Sequence, residues 1–315
     1  MPTIRAIRPT DLVSLVAFFR HESPRDVTAQ LWPEVGEKAP GRFLRSITSL
    51  LLARSGSSQL WLYLAGGIRA LVVFQPRAGK LAWDVQELFL AGEDDGAGIE
   101  LLEYIAGEAA GRGARKLFLA TPVESSAVQL AGKSGFANYT AESLYCLRGW
   151  PTTIPGPALA GRLRLRRDTQ SIFQLYNAAV PCRVRSAEAL TLDEWIFLEK
   201  GSTLWSPSLA GNRRHFVWES DGSLVAWLQV SSHKGSLHAE LLVHPSHHDR
   251  AEEMLRFSLS QADPRFPLFL TVRDYQGEVA SAAARLGFLE ESSHLVFARE
   301  LAVRVPSRVF VPARA

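Results

Sequence analysis

Residues 87–102, ELFLAGEDDGAGIELL, align without a gap to residues 240–255, ELLVHPSHHDRAEEML. Each stretch begins with a glutamate and a short apolar run, which is typical of a buried strand. Each then passes through a turn into apolar residues at helical spacing. The alignment indicates that one strand–turn–helix unit occurs twice in the chain.

The repeat extends beyond this unit. Near the start of each half, a short strand precedes Asp11 or Asp168, a residue type that commonly begins helices. Each half closes with a buried strand, a helix, the step Gly135-Phe136 or Gly287-Phe288, and a last apolar strand. A repeated unit of this length is a domain, because solenoid repeats have periods of roughly 20–50 residues.

The segment between the halves, residues 149–161 (GWPTTIPGPALAG), contains three prolines and three glycines, which disfavour regular structure. A chain of 315 residues is long enough for two domains. We predict an N-terminal domain at 1–150, a linker at 151–161, a C-terminal domain at 162–304 and a tail at 305–315. We expect each domain to fold around its own sheet, with no sheet continuing across the linker.

Composition narrows the class of protein. Hydrophobic residues make up 47% of the chain and charged residues 21%, which is typical of chains that bury a core. The apolar runs are strand-sized, shorter than the roughly 20 residues of a membrane-spanning helix. The net charge of +3 comes without a basic block, so nucleic acid is not an expected partner. The N-terminus lacks a secretory signal pattern, and we expect a cytoplasmic protein.

The order β-α-α-β-β-β-α-β-α-β in each half resembles the GNAT superfamily of N-acetyltransferases. The residues that carry this resemblance most specifically are Leu88-Phe89-Leu90 running into Gly96-Ala97-Gly98, together with the Gly-Phe step that closes each half. The resemblance covers nearly the whole chain, twice. It implies an α/β (α+β) fold of two GNAT-like domains, each with a mixed, mostly antiparallel central sheet flanked by helices.

The resemblance also implies an acetyl-CoA site in the first half. In the family, the turn before the long helix cradles the pyrophosphate of the co-substrate. Glycines allow close backbone approach there, and N–H groups at a helix N-terminus attract the anion. The predicted cofactor-binding residues are Phe89, Leu90, Gly96, Ala97 and Gly98.

Acidic residues oppose this site. Glu93, Asp94 and Asp95 precede the glycines, and each carboxylate would repel phosphate by on the order of 1 kcal/mol. In the second half, Asp249 and Ala251 stand where the glycines belong. The second half is therefore expected to be the degenerate one.

For catalysis, the resemblance implies a carboxylate on the long strand as general base, and Glu87 and Glu240 match that placement. The alternative is that both glutamates only hydrogen-bond within the sheet. The family often has a tyrosine general acid four residues before the glycine of Gly-Phe, but Ala131 and Ala283 occupy that position. Tyr139, Ser125 or water would have to replace it.

Two other arrangements deserve comparison. His238, Glu240 and His244 alternate along one strand, but side chains spread over roughly 20 Å do not converge on one ion, so no metal is predicted. Several tryptophans could line a hydrophobic acceptor pocket, although tryptophan at strand and helix positions is more often core. These are Trp195, Trp205, Trp218 and Trp227.

The sequence thus predicts an acyl-CoA-dependent N-acyltransferase, with the first domain holding acetyl-CoA. The acceptor would be a small-molecule or peptide amine. The alternative is a catalytically silent tandem GNAT-like protein that binds a ligand or a protein. Neither nucleic acid nor a membrane is an expected partner, and the oligomeric state is either monomer or homodimer.

Overall fold

The computed structural model describes residues 2–22, 24–28, 59–77, 81–92, 95–149, 159, 161–201, 213–233 and 235–302. Except for residues 159 and 161, the predicted linker lies outside these ranges, and so does the predicted tail. The domain boundaries therefore stay predictions.

The first half contains seven of the described strands and three of the described α-helices. Its strands are β1 (Thr3–Ala6), β2 (Arg25–Asp26), β3 (Gln59–Leu64), β4 (Ile68–Pro76), β5 (Ala82–Leu90), β6 (Lys116–Pro122) and β7 (Ala137–Leu147). Its helices are α1 (Leu12–Ala17), α2 (Asp95–Gly111) and α3 (Ala127–Lys133), with a 3-10 turn (Pro9–Asp11) before α1 and a π-helical turn (Phe18–Glu22) after it.

The second half follows the same order, with additional helices after its first strand. Its strands are β8 (Arg162–Leu163), β9 (Arg213–Ser220), β10 (Ser223–His233), β11 (Ser236–Val243), β12 (Leu268–Arg273) and β13 (Leu289–Glu300). Its helices are α4 (Thr169–Ala179), α5 (Cys182–Glu188), α6 (Leu192–Gly201), α7 (Ala251–Ser260) and α8 (Gly277–Arg285), and its 3-10 turns are Arg166–Asp168 and Pro245–Arg250.

The aspartates expected to begin helices make the same contacts in both halves. The two guanidinium Nη atoms of Arg5 donate to the two carboxylate oxygens of Asp11, both at 2.7 Å. Arg162 donates to Asp168 in the same way, at 2.6 and 2.9 Å. In both halves the arginine is on the first strand and the aspartate six residues later closes the 3-10 turn. This shared device supports a common origin for the two halves.

The contacts of Asp168 also explain why the first strand of the second half is shorter than its sequence pattern predicts. The alternation of Arg and Leu over 162–167 predicts a strand, but strand β8 ends at Leu163. The Asp168 carboxylate accepts the backbone N–H of Leu165 at 2.7 Å, which folds the chain into the turn Arg166–Asp168. A local side-chain contact therefore overrides the strand pattern.

All the described strands belong to one thirteen-stranded sheet in the order β1-β3-β4-β5-β6-β13-β7-β12-β11-β10-β9-β8, with β2 paired to β5 off this path. The expectation of two separate sheets is wrong. The last strand of the second half, β13, lies between β6 and β7 of the first half, and β7 pairs with β12 of the second. The halves exchange their last strands, and the order is symmetrical about the β13–β7 pair.

Helices cover both faces of the joined sheet in each half. In the first half, α2 and α3 cover one face and α1 covers the other. In the second half, α7 and α8 cover one face. Helices α4 to α6 cover the other, over a core that also includes Phe118, Tyr139 and Val296 from the central strands. This last core therefore spans the junction between the halves.

Candidate functional site

The sheet opens a cleft once in each half, where two parallel strands diverge. Strand β5 pairs with β6 only from Ala82 to Asp84. Strand β11 pairs with β12 only from Leu237 to Glu240. Beyond these points each long strand continues without that neighbour, which leaves one edge of its backbone available. In open sheets, ligands bind where strands separate at their carboxyl ends.

In the first half the chain itself covers this edge. Strand β2 pairs Arg25 with Leu90 and Asp26 with Phe89. The backbone N–H of Val27 donates to the carbonyl of Leu88 at 2.8 Å, and the Val27 side chain is fully buried. The backbone of the predicted cofactor-binding residues Phe89 and Leu90 thus contacts residues 25–27.

Arg25 also reaches the turn predicted to hold pyrophosphate. Its guanidinium lies 2.5 Å from the carboxylate of Asp95, in the first turn of α2, and it donates to the hydroxyl of Ser126 just before α3. Glu93 and Asp94, the other members of the acidic run, lie outside the described residues. Within the described part of this turn, the positive charge next to the Asp95 carboxylate comes from Arg25 of the same chain.

The three small residues at the start of α2 differ in their surroundings. Gly96 is exposed, whereas Ala97 and Gly98 are buried. A Cβ atom added to Gly98 would lie 2.9 Å from Leu130 and 3.0 Å from Leu90. Gly98 therefore allows α2 to pack closely on β5 and α3. Gly96 alone of the three presents its backbone to solvent, and the predicted phosphate contacts stay a prediction.

Glu87 and Glu240 occupy matching positions on β5 and β11. Each is half-buried on the third of three consecutive antiparallel strands. Glu87 lies opposite Val73, and Glu240 lies opposite Gln229. The structure does not bring them together, because strands β6, β13, β7 and β12 separate β5 from β11. Two distinct carboxylate sites result, one in each half.

Glu240 has an altered acidity. Burial raises the pKa of its carboxyl to about 7, and the nearby Glu142 carboxylate acts in the same direction. The guanidinium groups of Arg273 and Arg213 oppose this change without cancelling it. A carboxylate with a pKa near neutrality can accept a proton and later release it, as a general base requires.

Glu240 lines a cavity at the divergence of β11 and β12. On one side are strand residues, and on the other are α4, α6 and the loop that follows β12. The lining residues are Glu142, Tyr176, Val180, Trp195, Trp227, Glu240, Leu241, Leu242, Thr271, Arg273, Tyr275 and Gln276. The Gln276 amide donates to the carbonyl of Leu241 at 2.8 Å, and so engages one backbone group of the diverging edge.

An ion network lies beneath this cavity and joins the two halves. The Arg273 guanidinium lies 2.9 Å from both Glu142 and Glu188. Glu188 also lies 3.9 Å from Arg77, which lies 4.0 Å from Asp84. Helix α5 thus carries Glu188 to a position between a first-half arginine and a second-half arginine.

Burial and charge act differently on the carboxyl groups of this network. Burial would raise the pKa of Glu188, but Arg273 and Arg77, with a hydrogen bond from the Tyr176 hydroxyl, bring it below its ordinary value. Burial raises the pKa of Glu142 and brings that of Asp84 to about 7, despite their arginine neighbours. Glu188 is the most strongly stabilised anion of the network.

Tyr275 is a cavity residue that the sequence did not single out. Burial raises the pKa of its phenol to about 12, so it keeps its proton at neutral pH. It follows β12 and precedes α8, well before Ala283, where the family pattern places a tyrosine. The candidates named from sequence are less suited. Tyr139 is buried in the core between the halves, and the Ser125 hydroxyl accepts the backbone N–H of Ala127.

Other cavity residues carried weak signals. Glu142 and Arg273 are charged residues within or at the end of apolar strands, an unusual placement that could have marked them. Trp195 and Trp227 are part of the core and also line the cavity, and a role in binding an acceptor stays a prediction. Trp218 packs in the core beneath α7, and Trp205 lies outside the described residues.

The two histidines on and just after β11 make ordinary contacts. His238 stacks on Phe269 and is 2.8 Å from the Ser236 hydroxyl, while His244 is 2.7 Å from that of Ser246. In the described ranges, no group of three or more His, Cys, Asp or Glu side chains could hold a metal ion. Nor does any helix in those ranges have the length and apolar character needed to cross a membrane.

No family model matches the sequence, and no curated protein matches it either. Similarity appears in solved structures. A tandem GNAT protein from the clavulanic acid biosynthesis pathway is 15% identical, with a TM-score of 0.52 over 97% of this chain and 100% of that one. The protein has a tandem GNAT fold.

Two further solved structures are similar to this protein over nearly the whole length of the chain. A GCN5-related N-acetyltransferase from Sphaerobacter thermophilus is 13% identical, with a TM-score of 0.55 over 96% of this chain and 97% of that one. A putative acetyltransferase from Pyrococcus horikoshii is 12% identical, with a TM-score of 0.51 over 96% and 90%. At these identities the similarity shows the fold, as the sequence predicts.

Proposed function

We propose that the protein is an acyl-CoA-dependent N-acyltransferase whose reaction takes place in the second-half cavity. The observation that carries this proposal is the placement of Glu240, a carboxyl with a pKa of about 7, at the open divergence of β11 and β12. The equivalent edge in the first half is covered by β2. This choice reverses the sequence-based preference for the first half, which stays the competing version.

The second-half residues fit an acyl-CoA in two respects. Beyond Glu240 the edge of β11 has no paired strand among the described residues, although the Gln276 amide donates to the Leu241 carbonyl there. The turn before α7 has one acidic side chain, Asp249, where the turn of the first half has three. Ser246, His247 and His248 stand where the first half has its acidic run, and Asp249 and Arg250 follow them. The backbone N–H of Ala251 already bonds to His248 within the 3-10 turn, so the side chains of His247, His248 and Arg250, not glycine amides, would hold the phosphates.

The co-substrate supplies an acyl thioester, with a carbonyl carbon for the amine to attack and a thiolate as leaving group. Most amines are protonated at neutral pH, so the nitrogen must lose a proton before or during attack. Glu240 is the base that accepts it. Tyr275, which keeps its proton and lines the same cavity, is the candidate donor to the departing thiolate.

The experiment measures thiol release from acetyl-CoA with a panel of primary amines, for the wild type and for two matched variants. Glu240→Gln is expected to reduce turnover at least about a hundredfold, because it removes the base and keeps the volume. Glu87→Gln, at the matching position of the first half, is expected to leave turnover within about twofold. The opposite result would place the reaction in the first half.

A catalytically silent ligand-binding protein is the second candidate. It is favoured by Ala131 and Ala283 at the positions where the family often has its tyrosine and by the covered edge of β5. Calorimetric titration with acetyl-CoA separates the two candidates. An acyltransferase must bind it, whereas a protein that binds amines but neither binds nor turns over acetyl-CoA belongs to the silent class.

A further inference from the structure

Glu142 belongs to the first half of the chain but lines the cavity of the second half. It lies on β7, which pairs with β12 because the halves exchange their last strands. In that pair Glu142 is directly opposite Arg273. Both side chains line the cavity that contains Glu240. The first half thus contributes a charged side chain to the second-half site.

The contacts of Glu142 fix the position of the Arg273 guanidinium. The Nε atom of Arg273 donates to one carboxylate oxygen of Glu142 at 2.9 Å, and one Nη atom lies 2.9 Å from Glu188. All three side chains expose less than a tenth of their surface. A buried charge that leaves its partner stays uncompensated, which is costly. Two carboxylates from different elements, β7 and α5, therefore hold one guanidinium in place.

Glu240 is near enough to compete for the same guanidinium. It pairs with Thr271 on β12, and Arg273 is two residues further along that strand. Because side chains alternate along a strand, Arg273 and Thr271 share a face and are about 7 Å apart along it, within the reach of an arginine side chain. Arg273 lowers the pKa of Glu240, but not enough to offset burial. The position of Arg273 therefore decides how strongly the Glu240 anion is stabilised.

Few other groups near Glu240 change charge at neutral pH. Burial, with the guanidinium groups of Arg164 and Arg213, lowers the pKa of His215 on β9 to about 4, so this ring is neutral. Burial raises the pKa of the phenols that line the cavity, so both keep their protons. Among the described lining residues, Glu142 is the one carboxylate besides Glu240. The titratable groups around Glu240 besides Glu142 and Arg273 are Arg213, His215, His238, Tyr176 and Tyr275.

We propose that Glu142 is a positioning residue for Glu240. By holding the Arg273 guanidinium against itself and Glu188, it prevents a close ion pair between Arg273 and Glu240, and its own charge opposes a second anion in the cavity. Glu240 thereby stays able to accept a proton. The consequence for catalysis rests on the proposed function, whereas the effect on the proton affinity of Glu240 does not. The first half is then a working part of the second-half site.

The test measures the proton affinity of Glu240 without any substrate. Unfolding of the full-length protein and of its Glu240→Gln variant is followed over pH 4–8. The stability difference between the two stops growing with pH once Glu240 is ionised in the folded state. That pH is about 7 when the rest of the chain is unchanged. When both proteins also carry Glu142→Gln, it should fall by at least about one unit, because the repulsion and the hold on Arg273 are both lost.

Two further changes separate positioning from a merely structural role. Glu142→Asp keeps the charge but withdraws the carboxylate from Arg273 by one methylene, so the same pH should fall by a smaller amount. This variant also serves if Glu142→Gln fails to fold. Asp84→Asn removes another buried carboxylate of the network, one that lies 4.0 Å from Arg77, and it should leave that pH unchanged although it alters stability.

Two results would overturn the inference. One is an unchanged pH in both Glu142 variants, which would confine Glu142 to holding the structure together. The other is an equal fall in Asp84→Asn, because any loss of charge from the network would then have the same effect.

Kinetics distinguish failure of this inference from failure of the proposed function. If Glu240 is the base, the acid limb of the pH profile of kcat/KM should move to lower pH in Glu142→Gln, by the amount found in the unfolding experiment. No turnover of acetyl-CoA in any variant, with the shift found in unfolding, would refute the proposed function and support the inference. Turnover with an unmoved acid limb, alongside that shift, would mean that Glu142 sets the proton affinity of Glu240 but that Glu240 is not the base.

Discussion

At the scale of single residues, Glu240 links acidity to stability. Its carboxyl has a pKa of about 7 in the folded protein and an ordinary value of 4.5 when exposed. The folded state therefore binds more protons between these two pH values, and stability falls as the pH rises through them. The ionised Glu240 carboxylate therefore destabilises the folded protein. A catalytic role would explain why a carboxylate occupies this buried position.

We predict that Glu240→Gln raises the melting temperature at pH 8, by an amount equivalent to on the order of 1–3 kcal/mol. Below pH 4.5 the difference from the wild type should disappear, because Glu240 is then protonated in both states. Thermal unfolding over pH 4–8 measures the effect, with Glu290→Gln as the exposed control. A variant less stable than the wild type at pH 8 would mean that Glu240 is held as a structural anion.

Gly98 is a second residue for which the structure adds a role. The phosphate contact stays a prediction, and the position of Gly98 against Leu90 and Leu130 is in addition a packing contact. Gly107, on the exposed side of the same helix, has no neighbour within 4 Å of an added Cβ. The two glycines form a natural comparison, because both lie in α2 and only Gly98 has close neighbours.

We predict that Gly107→Ala stabilises the protein by about 0.5–1 kcal/mol. Gly98→Ala should be less stable than Gly107→Ala by at least about 1 kcal/mol, because the new methyl group must displace Leu130. Chemical denaturation of both variants measures the difference. If both changes stabilise the protein equally, α2 does not require a glycine at this contact.

At the scale of elements, β2 decides whether the first-half cleft is accessible. It is only two residues long, but it pairs with the edge of β5, and the buried Val27 next to it anchors it. Short segments of this kind are stable only when tertiary contacts hold them. The cover over Phe89 and Leu90 therefore depends on a few contacts.

We predict that Val27→Pro releases β2, because proline removes the N–H that donates to Leu88. Hydrogen exchange should accelerate at residues 88–90 relative to the wild type. If β2 is what excludes acyl-CoA from the first half, titration of this variant should reveal one additional binding site for it. Unchanged exchange at residues 88–90 would show that the pairing does not protect this edge.

At the scale of the whole molecule, the exchange of β7 and β13 makes each half depend on the other. Val296 on β13 is fully buried and pairs with Ala120 and Thr140, both in the first half. Lys116 of β6 in turn donates to the carbonyls of Ser186 and Ala187 near the end of α5. We expect the two halves to unfold in one transition.

We predict that Val296→Asp destabilises the protein by at least about 3 kcal/mol, since it buries an unpaired charge. Protection from hydrogen exchange should be lost in β6 and β7, although the changed residue belongs to the second half. Leu289→Asp, on the same strand with a side chain 74% exposed, is the control. Loss of protection confined to β8–β12 would argue that the halves are independent.

The sequence by itself determined the repeated order of elements, most strand positions and the tandem GNAT fold. Hydrophobic periodicity and turn residues report which local structure a segment adopts, and a gap-free repeat reports that it occurs twice. The matched positions of Glu87 and Glu240 follow from the same alignment. These features depend on neighbours in the chain, and so they can be read from it.

Only the tertiary structure decided which edge each strand joins and which cleft stays open. Periodicity is the same whether β13 pairs within its own half or between β6 and β7, so the joined sheet left no signal in the pattern. Residues 25–28 cover one cleft, while Glu142, Arg273 and Tyr275 converge on the other from distant positions. Burial in that convergence sets the pKa of Glu240, because desolvation depends on what surrounds a carboxyl in space.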